Sequence, residues 1–80
     1  MKKISQLLTF LISFNCLASD SIFNSANNDY SNQNYKQAIE KYELIVTNNL
    51  ESSELYYNLA NSYFKTNKTH LAIYYYEKAL

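Results

Sequence analysis

The chain has no glycine, no proline, no tryptophan and no arginine in its 80 residues. Without glycine there is no phosphate-cradling loop of the P-loop or dinucleotide-binding kind. Without either backbone breaker, long helices joined by short polar turns are favoured. Positive charge is scarce as well. Seven lysines balance seven acidic residues, so no basic stripe of a nucleic-acid binder is present. One cysteine, Cys16, and one histidine, His70, leave no disulfide framework and no metal-ligand cluster. What is abundant is apolar and aromatic: 48% of residues are hydrophobic, which separates the chain from disordered tails, and nine are tyrosine.

The first eighteen residues read separately from the rest. Lys2 and Lys3 give a short positive start, Ile4 to Leu17 a mostly apolar run, and Cys16-Leu17-Ala18 small residues at −3 and −1 of a cut site. That order predicts a secretory signal peptide over 1–18, cleaved between Ala18 and Ser19, and export to the periplasm or cell envelope. The alternatives are an N-terminal membrane anchor, for which the run is shorter than the roughly 20 residues that span a bilayer, and a lipoprotein acylated at Cys16. Around Cys16, however, Ser13 and Asn15 stand where a lipoprotein has leucine and a small residue. After cleavage five lysines face seven acids, a net charge of −2.

The remainder matches itself when shifted by 34 residues. Asn24 meets Asn58, Ala26-Asn27 meets Ala60-Asn61, Ala38-Ile39 meets Ala72-Ile73, and Tyr42-Glu43 meets Tyr76-Glu77. Each unit reads as two helices. Tyr56, Leu59, Ala60 and Tyr63 make one apolar stripe at helical spacing, and Ala72, Tyr76, Ala79 and Leu80 make another. Ala38, Tyr42, Ile45 and Val46 repeat the second stripe one unit earlier. Asn67, in the polar connector 65–69, is placed to end a helix in the left-handed conformation. Asn34 is placed to cap the second helix of the first unit, with Gln37 as capping-box partner. Ala60 and Ala72 fall where two antiparallel helices cross, and their methyl groups allow close approach.

This period and these residues resemble the tetratricopeptide repeat. Tyr56, Leu59, Ala60, Tyr63, Ala72, Tyr76 and Ala79 stand in the order and spacing of that motif. The first unit keeps Ala26, Ala38 and Tyr42, but has Ser25, Asp29 and Ile45 where Leu, Tyr and Ala are the pattern, and is degenerate. The resemblance implies an all-α fold of tandem antiparallel helix hairpins in an α-solenoid, with a first repeat over 19–52 and a second over 53–80. The second repeat looks truncated: Leu80 lies in the last turn of a helix, no capping helix follows, and two repeats fall short of the roughly three that arrays need. A longer protein is the expectation. A signal peptide, a degenerate first repeat and then the stretch from Leu50 to Leu80 together look like the start of the tetratricopeptide proteins of the Bacteroides aerotolerance operon, envelope proteins grouped with von Willebrand A-type membrane proteins.

In such arrays the first helix of each repeat lines an inner groove. By register that groove receives Phe23, Asn24, Asn27, Tyr30, Tyr57, Asn58, Asn61 and Phe64. Amides there are expected to hold the backbone of an extended peptide, with aromatic side chains beside them, and replacing Asn58 and Asn61 is expected to leave folding intact. The alternative is that these asparagines only follow the repeat pattern. Glu40 and Glu43, near Lys36 and Lys41, read as a solvated face with weak ion pairs, and His70 as a solvent-facing residue. No catalytic constellation, cofactor site or metal site is visible. The implied function is a non-catalytic scaffold that binds a protein or peptide partner. The alternatives are an assembly subunit of a membrane complex and an enzyme whose catalytic domain lies beyond Leu80.

Overall fold

The computed structural model describes residues 19–80; the signal-peptide, anchor and Cys16 readings lie outside them. Four helices follow one another: α1 (Ser19–Ser31), α2 (Tyr35–Thr47), α3 (Ser53–Lys65) and α4 (Thr69–Ala79). Helix α1 packs on α2 and α3 on α4, giving two antiparallel hairpins, and α3 lies against α2 and touches α1. The fold is all-α, as expected.

The turns show how a chain without glycine stops its helices. Gln33, Asn49 and Asn67 each take a positive φ of 60–64°. Each sits two residues beyond a helix end, and the same pair of backbone bonds surrounds it. Asn67 N–H donates to the Phe64 carbonyl at 3.1 Å and Lys68 N–H to Tyr63 at 2.9 Å; Gln33 and Asn34 bond to Tyr30 and Asp29 in the same way, and Asn49 and Leu50 to Val46 and Ile45. These are three Schellman closures. Asparagine tolerates the left-handed region because its short amide can bond locally, but glutamine has no such compensation. Gln33→Gly is therefore expected to stabilise the chain by about 0.5–1 kcal/mol, after the extra chain entropy of glycine is deducted. Asn67→Gly should gain less. Thermal melts of the two variants against the parent check this ordering.

The closure also displaces the expected capping box. Asn34 is the N-cap residue of α2, yet its φ of −88° and ψ of 65° are not extended, and its side chain makes no cap bond. Its N–H, the target Gln37 would have reached, already donates to the Asp29 carbonyl at 2.8 Å. The side-chain cap is found instead at α3, where Ser52 is extended and its Oγ accepts from Leu55 N–H at 3.1 Å.

One core runs through both hairpins. Ala26, Ala38, Ala60 and Ala72 are all inaccessible, and Tyr42, Ile45, Leu55, Tyr56, Leu59, Tyr63 and Tyr75 are buried around them. The alanines stand in pairs 34 residues apart, one on each helix of each hairpin. A bare methyl lets the two backbones of a hairpin close up, and the larger side chains fill the flanks. Tyr76 and Ala79, assigned to packing from the sequence, are only partly buried against this core, and Leu80 is fully exposed.

Candidate functional site: the inner face and the interface between hairpins

The residues expected in a groove are not equally free. Asn24, Tyr57 and Phe64 are exposed, whereas Phe23, Asn27, Tyr30, Asn58 and Asn61 are half-buried. Asn27 Oδ1 accepts from the Tyr42 hydroxyl and, at 3.1 Å, from Asn58 Nδ2. Asn61 Oδ1 accepts from the Tyr76 hydroxyl. The expectation that Asn58 and Asn61 hold nothing together is thus overturned. Asn58 bridges the two hairpins and Asn61 ties α3 to α4, because tyrosines on the second helix of each hairpin bring their hydroxyls up to the amide row. Of the groove positions, Asn24 on α1 and Tyr57 and Phe64 on α3 are exposed; Asn24 lines an open polar recess with Ser25, Asn27, Asn28 and Ser31, all of α1. Around Tyr30, the Tyr35 ring packs edge-on at 5.3 Å, which holds the α1–α2 turn.

The first hairpin departs from the repeat pattern at Ser25 and Asp29, and the structure accounts for both. Lys41 Nζ on α2 donates to Ser25 Oγ at 2.7 Å and pairs with Asp29 Oδ2 at 2.6 Å. Thirty-four residues on, the same three places hold Leu59, Tyr63 and Tyr75, and the two tyrosine rings stack at 5.8 Å with planes 6° apart. A polar triad on one hairpin therefore stands for an apolar and aromatic triad on the other. The first hairpin is not decayed at these places; its outer side is finished with an ion pair.

Glu43 is the residue whose role the sequence concealed. It is half-buried rather than part of a solvated face. Its Oε2 accepts from the Tyr63 hydroxyl at 2.7 Å and its Oε1 from the Tyr75 hydroxyl at 3.0 Å. One carboxylate of α2 thus clasps both helices of the second hairpin. Burial raises the ionisation of Tyr63 and Tyr75 well above the ordinary phenol range, and the hydrogen bonds to the anionic Glu43 raise it further. Tyr42 is pushed up to about 12, chiefly by burial. The sequence does show glutamate at 43 and again at 77, but nothing in the spacing says which tyrosines it meets. Spacing does not separate Tyr75 from Tyr76 either, since they stand three and four residues after Ala72 and border the same stripe. Tyr75 turns to Tyr63 and Tyr56, whereas Tyr76 turns to Asn61 and Tyr57.

These contacts are structural rather than chemical. Among the described residues no cluster of His, Cys, Asp and Glu could hold a metal ion, and no helix is long and apolar enough to cross a membrane. His70 is exposed at the start of α4.

The paired alanines, the Tyr63 and Tyr76 positions and the hairpin geometry of α3 and α4 point to one repeat type, and the family comparison agrees: the model of the tetratricopeptide repeat matches residues 53–80. This segment is a tetratricopeptide repeat. No curated protein and no solved structure matches the chain. A tetratricopeptide repeat implies a protein–protein interaction scaffold with protein partners, in a family that is typically non-catalytic.

Proposed function

We propose that the chain is an exported scaffold whose inner face takes an extended peptide segment of a partner protein in the cell envelope. The observation that carries the peptide reading is the exposed pair Tyr57 and Phe64, 55% and 60% accessible on α3; Asn24, exposed on α1, adds an open amide. Large aromatic side chains left open suit peptide contact, since they bury much area at little cost in ordering. The export reading rests on Lys2, Lys3, the apolar run and the Cys16-Leu17-Ala18 site.

A membrane-complex assembly role of the Bacteroides aerotolerance type, beside von Willebrand A-type partners, is the second reading. It is favoured by Leu71, Ile73 and Tyr74, which are exposed by 41–50% on α4. A folded subunit would cover that side, whereas a peptide would lie on the inner face.

The test screens a displayed library of extended peptides against the chain and titrates the best binder by calorimetry. Phe64→Ala with Asn24→Ala is expected to weaken that binder by at least about 10-fold, from one lost aromatic burial and one amide bond. Neither residue is in the core, so the melting temperature should hold. Unchanged affinity in the double variant would rule out the inner face. Loss of binding in Leu71→Ala with Ile73→Ala would instead place the peptide on the exposed side of α4.

A further inference from the structure

A cleft of about 380 Å³ opens where the start of α1, the end of α2 and the start of α3 meet. Phe23, Ile45, Leu50 and Leu55 wall it, so its floor is apolar. Around that floor stand three exposed carboxylates, Asp20 on α1, Glu54 on α3 and Glu51 in the segment before α3. No lysine lines the cleft, and the one ion pair among the described residues, Lys41 with Asp29, involves none of the three. Asp20 and Glu54 sit in the first turns of their helices, where the dipole favours an acid. That accounts for a carboxylate in each first turn, but not for an apolar recess left open among them. Asp20 and Glu54 also stand three residues before Phe23 and Tyr57, on the same sides of α1 and α3, so the cleft is one end of the inner face.

We infer that this cleft seats a basic side chain, lysine or arginine, of the peptide that lies on the inner face. Such a side chain is apolar along its stem and charged at its tip. The stem fits against Phe23, Leu50 and Leu55, and the tip reaches the carboxylate rim. The Phe23 ring adds an aromatic face, which attracts a cation. An acidic side chain in the same place would bring like charges together. An apolar one would cover the floor but leave three carboxylates without a counter-charge. The charge of residues 19–80, seven acids against five lysines, favours the approach of a basic segment as well.

This inference rests on the scaffold reading and gives its peptide a chemical class. The displayed library is panned against the parent chain and against Asp20→Asn with Glu54→Gln. Binders of the parent are expected to share a lysine or arginine at one position, and binders of the variant to lack that preference. In calorimetry, replacing the shared residue by norleucine keeps a stem and removes the charge. It should weaken binding to the parent roughly 5- to 30-fold, and to the variant hardly at all. The difference should shrink as salt is raised. Both replaced residues are exposed, so the variant should melt close to the parent. Binders without a shared basic residue, or an equal norleucine penalty in parent and variant, would overturn the inference. The inner-face reading would still be decided separately, by Phe64→Ala with Asn24→Ala. Self-association of the parent in the ultracentrifuge that Asp20→Asn with Glu54→Gln abolishes would also overturn it, because a lysine of a second copy would then fill the cleft.

Discussion

Glu43→Ala is expected to cost roughly 3–5 kcal/mol, enough to unfold most of a chain this small. The carboxylate accepts from Tyr63 and Tyr75, which lie on different helices of the second hairpin and are 7% and 8% exposed. Removing it leaves two phenol donors facing a void, and hydrogen bonds to a charged group are the stronger kind. Glu43→Gln keeps the shape and one carbonyl acceptor, so it should lose less. Tyr63→Phe and Tyr75→Phe each delete one donor without orphaning another, and each should lose less than Glu43→Ala. Urea unfolding of this set checks the order. If Glu43→Ala and Tyr63→Phe proved equally mild, the clasp would not hold the hairpins together.

The same clasp sets the alkaline limit of the fold. Tyr63 and Tyr75 ionise in the folded chain above their unfolded value of 10.0, through burial and the Glu43 anion. A folded-state pKa raised above the unfolded one means that the stability it carries is complete below pH 10 and falls as pH rises beyond it. Absorbance at 295 nm should therefore show exposed tyrosines ionising first, near pH 10, with the buried set following together with loss of helix. Smooth ionisation of all nine tyrosines around pH 10, with the helix signal intact, would contradict this burial.

Ala72→Leu is expected to cost roughly 1–3 kcal/mol by overpacking. Ala72 is 1% exposed on α4 and Ala60 is inaccessible on α3, with Leu59, Tyr63 and Tyr75 closing the sides. Three further carbons have no space there unless α3 and α4 separate. Separation would also pull Tyr75 away from Glu43, so the loss should exceed the sum expected of an isolated site. Glu40→Leu, at an exposed position on α2, is the control and should change stability by no more than about 0.5 kcal/mol. Equal melting of the parent and Ala72→Leu would mean that the crossing lies elsewhere.

Much of this molecule could be read from residue order alone. The 34-residue period, the helical stripes and the four small crossing residues depend on spacing along a helix, which is a local property. Asn67 as a helix end was legible for the same reason: in a chain without glycine, asparagine is the residue that tolerates the left-handed turn. The capping box at Asn34 was misread because the bond that excludes it comes from the preceding helix. The positions on the first helix of each hairpin were legible, but not their chemistry. Whether an amide is free depends on a tyrosine fifteen residues away that swings up to meet it, as Tyr42 meets Asn27.

What only the tertiary structure decided is which polar groups find one another across helices. Ser25, Asp29 and Lys41 look like decay of a repeat until they are seen bound together. Glu43 looks like any surface glutamate until the second hairpin lays two phenols on it. Residue spacing determines which side of a helix a group occupies. The packing of one hairpin on the next determines whether that side meets water, a partner group of opposite character, or a face still open.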